Sequence, residues 1–281
     1  MERIAMVTGA NQGLGLALVR GLARRLAAQD LVYLTARDPA RGEAALDQLG
    51  ATAARVRFEQ LDVTGEDSIS RFAAMLLERH GGVDLVASNA AARIVKERPQ
   101  AEQVRDFVRT NNHGCRQLLG QLLPLLKAGA RCVIVASSFG RLSNLAPPLR
   151  PLFDTDHRSL DDIERVMDAY VEAVERGEAA ARGWPEWINV ASKVGQVAAA
   201  RIAARLVSAS RPGDGILVNA VCPGLIDTGA SRPWFDDMSR AQSPDEAARA
   251  VIDLLLTPPG AAGAPHGQLM RFGAALPWVD D

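Results

Sequence analysis

Three glycines, Gly9, Gly13 and Gly15, stand between a short β-branched apolar run and the start of a helical pattern. No other feature constrains the chain as strongly. In Thr8-Gly9-Ala10-Asn11-Gln12-Gly13-Leu14-Gly15 the first glycine permits a tight strand-to-helix turn and the second lets the backbone approach a bound pyrophosphate. The third lets the helix pack close against its strand. A phosphate at such a turn is held by the unpaired N–H groups and positive dipole end of the helix.

The rest of the chain repeats the same grammar. Apolar runs predict strands at Ile4–Val7, Leu31–Thr35, Val56–Gln60, Leu85–Ser88, Cys132–Ala136, Leu217–Val221 and Gln268–Arg271. Helical patterns fall between them at Leu14–Ala28, Pro39–Leu49, Glu66–His80, Ala101–Leu126, Ile188–Val207 and Pro244–Leu256. Most of the strands are apolar on both faces, as central parallel strands covered by helices must be. Right-handed crossovers then predict one α/β domain over residues 1–281, a doubly wound parallel Rossmann-type sheet of about seven strands with helices on both faces.

One segment breaks the rhythm. From Phe139 to Trp187 nearly fifty residues separate a strand from the next core helix, with an amphipathic helix expected near Leu160–Glu175. Two readings stand: a surface insertion that blocks an oligomer contact, or a lid over a site at the carboxyl end of the sheet.

Composition narrows the partners. A formal net charge of −1 and 23% charged residues offer no field for nucleic acid or an anionic membrane, so a small-molecule partner is expected. The start of the chain has neither a basic region nor a long apolar run, and no stretch is long enough to span a bilayer, which predicts a cytoplasmic protein. Cys115, Cys132 and Cys222 lie far apart, as do His80, His113, His157 and His266, so neither a disulfide framework nor a metal site is expected.

The end of the second predicted strand reads Thr35-Ala36-Arg37-Asp38, with Arg41 one helical turn on. A guanidinium here matches a 2′-phosphate in shape and charge, so NADPH is favoured over NADH. Asp38 keeps an NAD reading open, because an acidic residue at this point bonds the ribose hydroxyls in NAD-binding domains.

Taken together these residues resemble the short-chain dehydrogenase/reductases, and within them the monomeric carbonyl reductases, over nearly the full length. The likeness rests on the glycine turn, Thr35–Asp38, Leu61-Asp62-Val63, Ser88-Asn89-Ala90-Ala91, Asn111 in Thr-Asn-x-x-Gly, Ser137-Ser138, Ser192-Lys193, Cys222-Pro223-Gly224 with Thr228, and Pro265-His266-Gly267. It implies cofactor contacts from Gly9, Asn11, Gln12, Gly13, Leu14 and Gly15, with Arg37 and Arg41 at the 2′-phosphate. Asp62 and Val63 would frame the adenine, Asn89 would lie along the cofactor, and Pro223, Gly224 and Thr228 would meet the nicotinamide end. Ser138 would polarise a substrate carbonyl, Lys193 would hold the ribose hydroxyls, and Asn111 would anchor a water in the proton path. The long insertion implies a monomer.

The resemblance departs at one position. The family places a proton-donating tyrosine four residues before the lysine, on the same helix face, where the ammonium lowers the phenol pKa. Here Trp187-Ile188-Asn189-Val190-Ala191-Ser192-Lys193 puts Asn189 there, and an amide donates hydrogen bonds but does not release a proton near neutral pH. Of the two tyrosines, Tyr33 belongs to the wrong side of the nucleotide and Tyr170 lies in the insertion, as a packed helix residue or as a phenol that swings in.

Losing a general acid costs about 10²–10⁴-fold, which a helpful substrate can offset. The first reading is a ketoreductase of polycyclic aromatic, polyketide-type ketones, whose neighbouring phenolic hydroxyl polarises the carbonyl and supplies the proton, with Ser138 and Asn189 as orienting partners. Phe139, Phe153, Trp184, Trp187, Trp234 and Phe235 would line a pocket for a flat molecule or else pack as core. The altered motif and the alanine and arginine bias, with only three lysines among 32 basic residues, are similar to antibiotic-tailoring ketoreductases such as those acting on angucyclinones. A second reading is an NADP(H)-binding sensor without turnover, against which Lys193 stands as a compact charge in an arginine-rich chain. A third is non-reductive chemistry such as dehydration or epimerisation, with His113 as base.

Overall fold

A computed structural model describes residues 2–279. The alternation predicted from the sequence closes into one sheet because successive side chains of the first strands leave on opposite faces. Ile4 and Met6 of β1 (Ile4–Val7) enter one buried layer with Leu31 and Tyr33 of β2 (Leu31–Ala36), while Ala5, Val7, Val32 and Leu34 enter the other. The chain continues through β3 (Arg55–Gln60), β4 (Val83–Ser88), β5 (Leu126–Val135), β6 (Leu217–Cys222), β7 (Leu269–Arg271) and β8 (Ala274–Leu276). Their order is β3-β2-β1-β4-β5-β6-β7-β8, parallel up to β7. Strand order reverses between β1 and β4, the crevice where ligands of doubly wound sheets bind.

Helices α1 (Gly13–Arg25), α2 (Pro39–Asp47) and α8 (Pro244–Leu255) cover one face, and α3 (Glu66–His80), α5 (Gly114–Leu122) and α7 (Ile188–Ser210) the other. Two expectations are corrected. The sheet has an eighth strand, β8, which returns antiparallel on β7 after Phe272-Gly273; three mostly exposed residues carry no periodicity to read. The single helix expected at Ala101–Leu126 is broken into α4 (Val104–Val108), a π-helical turn at Arg109–His113, and α5, and Leu126 already belongs to β5.

The insertion is a packed layer of its own. Ser159 and Asp162 cap each other's backbone N–H groups, which starts α6 (Leu160–Glu175) at a capping box. Met167 and Tyr170 of α6 join Phe153 and Trp184 in a third apolar cluster against Val104 and Phe107 of α4 and Val194, Ala198 and Ile202 of α7. The start of the insertion is tied to the chain's end, where Leu142 N donates to Trp278 O at 2.8 Å. Among the described residues no helix is long and apolar enough to cross a membrane, and no group of three His, Cys, Asp or Glu side chains is placed to hold a metal ion.

Because Phe153 is fully buried in the third cluster, Phe153→Ala is expected to lower the unfolding free energy by about 3–5 kcal/mol in urea denaturation. A loss under about 1 kcal/mol would mean that this layer melts separately from the sheet.

Candidate active site

The glycine turn is assembled by close approach. A Cβ at residue 15 would overlap the Gly9 carbonyl oxygen and stand 2.7 Å from Asn89 Nδ2, so α1 reaches the sheet only because Gly15 has no side chain. Asn89 Nδ2 donates to Thr8 O at 2.9 Å and to Gly9 O at 3.2 Å, and Thr8 Oγ1 accepts from Asn89 N and Ala90 N at 2.8 and 2.9 Å. Asn89 therefore braces the turn to the end of β4. Gln12, the residue preceding α1, makes no side-chain cap and the first turn holds no acidic residue, which leaves that turn's N–H groups to an anion. Thr228 faces the turn, its Cγ2 lying 3.6 Å from where a Gly13 Cβ would be.

At the end of β2, Asp38 is already occupied. Its Oδ1 accepts from Arg41 N at 3.1 Å as the cap of α2, and its Oδ2 lies 3.7 Å from Arg41 Nε. The Arg37 guanidinium beside it is exposed and has no acidic partner among the described residues. These groups suit a phosphomonoester better than a ribose diol, which argues against the open NAD alternative. Asp62 Oδ1 accepts from Thr64 N and Thr64 Oγ1 at 2.9 and 2.8 Å, and Val63 O would meet a Gly114 Cβ at 2.7 Å, so this loop is fixed onto α5.

Ser138, Asn189 and Lys193 line one cavity of about 390 Å³, together with Cys222, Gly224 and Thr228. Ser137 Oγ accepts from Phe139 N and caps the short turn Ser138–Gly140, so the Ser138 hydroxyl is not spent on the backbone there. Gly140 lets that turn settle on α7, since a Cβ would lie 2.7 Å from Lys193 O. Asn189 and Lys193, four residues apart, share a face of α7. Lys193 Nζ donates to Gln196 Oε1 at 2.7 Å and to Val135 O at 3.3 Å. Burial pushes its pKa down to about 8, against the opposing pull of Cys115 and Cys222.

The π-helical turn serves this helix. Asn111, the residue expected to anchor a water, accepts from Ala92 N through its Oδ1 at 2.8 Å. Its neighbour Asn112, which sequence reasoning passed over, accepts from Ser192 Oγ at 2.7 Å and donates to Ser192 O at 2.9 Å, one residue before Lys193. Two adjacent asparagines in Thr110-Asn111-Asn112-His113 were the available signal, but only the π geometry, which rotates successive side chains differently from an α-helix, shows which one meets α7.

Several expected residues fall elsewhere. Phe153 and Trp184 do not line the cavity; they pack edge to face at 6.2 Å inside the third cluster. Tyr170 is fully buried there, its ring 4.7 Å from Trp184, and burial pushes its phenol pKa up. Tyr33 O–H pairs with His80 Nε2 at 2.8 Å, beneath the sheet's first layer. Neither phenol lines the cavity. His113 does not line the cavity; its Nε2 lies 3.1 Å from Asp168 Oδ1 on α6. Phe139, Trp187, Trp234 and Phe235 do line it, with Phe139 and Trp187 ring centroids 5.1 Å apart and Trp187 and Trp234 5.5 Å apart. Phe107, Arg93 and Arg271 also line it and were not foreseen.

With Lys96, Lys127 and Lys193 as its only lysines, the protein labelled with ¹³C at lysine Cε should show one resonance titrating near pH 8, the value to which burial lowers Lys193, and that resonance should vanish in Lys193→Arg. Because the folded pKa lies below the unfolded value of 10.5, the charge is penalised below pH 8 and the penalty lifts as pH rises through 8 towards 10.5. A Lys193 resonance that stays unmoved up to pH 10 would contradict the burial described here.

The short chain dehydrogenase family profile matches residues 3–146. Carbonyl reductase (NADPH) 1 of Macaca fascicularis is 37% identical over 280 residues, 98% of each chain. The Homo sapiens enzyme of the same name is 37% identical over 279 residues, again 98% of each chain. Among solved structures, salutaridine reductase from Papaver somniferum superposes with a TM-score of 0.79 at 24% identity, covering 95% of this chain and 99% of its own.

Proposed function

Because this chain belongs to the short-chain dehydrogenase/reductase family, we propose that it is an NADPH-dependent ketoreductase of bulky, polycyclic aromatic ketones in which Asn189 stands where the family carries its tyrosine. The observation that carries this reading is a shared cavity: Ser138, Asn189 and Lys193 line it with four aromatic side chains of the insertion and late loop, and neither phenol of the chain lines it. Carbonyl reduction with NADPH is supported by the relatives, which match nearly end to end, and by Arg37 and Arg41 at the end of β2 beside a carboxylate already spent on a helix cap.

The residues fit the cofactor. The Gly9–Gly15 turn, with Asn11, Gln12 and Leu14, would hold the diphosphate at the uncapped end of α1. Asp62 and Val63 would border the adenine, and Pro223, Gly224 and Thr228 the nicotinamide end. Lys193 would turn from Gln196 to the ribose hydroxyls, which requires its ammonium form. NADPH, when bound, supplies a hydride to the carbonyl carbon.

Ser138 donates its hydroxyl proton in a hydrogen bond to the carbonyl oxygen and so concentrates positive charge on the carbon. Asn189 donates a second hydrogen bond from its amide and fixes the ring system, but keeps its protons. The proton that completes the alcohol then comes from a hydroxyl beside the ketone on the substrate, or from water. Asn111 acts on that path indirectly, by holding Ala92 and the π-helical turn in place. The insertion contributes Phe139 and Trp187 from its two ends as a cover on the cavity, and α6, packed over α7, covers a face that a second copy would otherwise meet, which supports a monomer.

In an NADPH-oxidation assay, polycyclic ketones with a free hydroxyl adjacent to the carbonyl should turn over at least about 10²-fold faster than their methyl ethers, the scale of a lost general acid. Equal rates on both sets would discard substrate-supplied protonation. Asn189→Tyr restores a phenol four residues from Lys193 and should raise kcat on simple ketones by at least about tenfold; no gain would show that the cavity departs from the family in more than this residue.

A further inference from the structure

The cavity that carries the proposed chemistry has an unequal charge lining. Arg93, Lys193 and Arg271 reach it, and no aspartate or glutamate among the described residues does. Lys193 is held inside by Gln196 and Val135, at the position given above to the cofactor ribose. Arg93 is different. It is exposed in the loop after β4, its guanidinium would lie 3.4 Å from a Cβ on Gly229, and it forms no hydrogen bond or ion pair among the described residues. Arg271, the last residue of β7, lies with its guanidinium carbon 5.1 Å from the Phe272 ring centroid and likewise meets no carboxylate. Elsewhere arginines at the surface are commonly paired, as Arg105 with Glu175, Arg116 with Asp161 and Arg232 with Asp227. Two guanidiniums left open on a cavity with aromatic walls favour a flat ring system that carries a negative charge.

We infer that the substrate is an aromatic keto acid whose carboxylate is taken by the Arg93 guanidinium at the mouth of the cavity, with Arg271 adding to the positive field and the rings lying against Trp187 and Trp234. The inference deepens the ketoreductase reading and rests on the same cavity. A guanidinium fork matches the two oxygens of a carboxylate, and the pairing is charge-assisted. With no aspartate or glutamate among the described residues in the lining, an anion entering the cavity meets no repulsion from them, while a neutral analogue loses the pairing.

The test measures binding, so that it does not depend on turnover. An anthraquinone carboxylate and its methyl ester are titrated calorimetrically into the protein saturated with NADP⁺, and the ratio of the two Kd values is compared between wild type, Arg93→Gln and Arg271→Gln. The wild type should prefer the acid by about tenfold or more, as expected for a hydrogen bond to a charged group. Arg93→Gln should remove most of that preference, Arg271→Gln a smaller part, and added salt should weaken the acid more than the ester. An unchanged ratio in Arg93→Gln, equal binding of acid and ester by the wild type, or binding of neither would overturn the inference. So would a selective fall in NADP⁺ affinity in Arg93→Gln, which would assign the cation to the cofactor diphosphate. If the acid preference holds but no ketone is reduced, the binding site stands and the ketoreductase reading fails.

Discussion

The absence of a side chain at residue 15 is the constraint on which the carboxyl edge of the sheet depends. With the Gly9 carbonyl and the Asn89 amide occupying the space that a Cβ would take, α1 lies against β1 and β4 at the point where strand order reverses. Asn89 can then donate to both Thr8 O and Gly9 O. A bulkier residue would lift the helix and break these bonds together, leaving buried carbonyls without donors. The helix end that results is aimed into the crevice with no side-chain cap, so its free N–H groups and its dipole are available to a diphosphate.

A second close approach builds the chemical end of the site. Gly140 settles the Ser138 turn onto α7, and Asn112 ties the π-helical turn to Ser192. On its other side α7 is covered by α6 and the third apolar cluster. The helix that presents Asn189 and Lys193 is thus gripped on both sides, which fixes its backbone relative to the Ser138 turn. The same packing keeps Tyr170 away from the cavity: its ring is enclosed with Trp184 and Phe153, and moving it would open a void in the insertion's own core.

Legibility varied with how local the cause was. The bounds of β1, α3 and α6 follow from runs and caps contained within a few residues, and the structure repeats them as read. β8 escaped because three residues against a single neighbour show no period. The break in the Ala101–Leu126 helix escaped because its causes are distant: Ala92 N for Asn111 and Ser192 for Asn112. Among the aromatics, Phe139 and Trp187 at the ends of the insertion reach the cavity whereas Phe153 and Trp184 inside it do not. Hydrophobicity alone cannot separate a wall from a core, since both bury rings.

The sequence by itself determined the doubly wound sheet, the glycine turn, the arginines after β2 and the placing of Asn189 and Lys193 on one helix face, because each is written in neighbouring residues whose spacing maps directly onto a strand, a turn or a helix face. The tertiary structure alone decided that Asp38 is spent on a helix cap and that the insertion is a packed layer. It also brought Arg93 and Arg271, far apart in the chain, to one cavity that no aspartate or glutamate among the described residues lines. Those outcomes depend on which distant groups compete for the same hydrogen bond or the same space, and only the folded chain brings the competitors together.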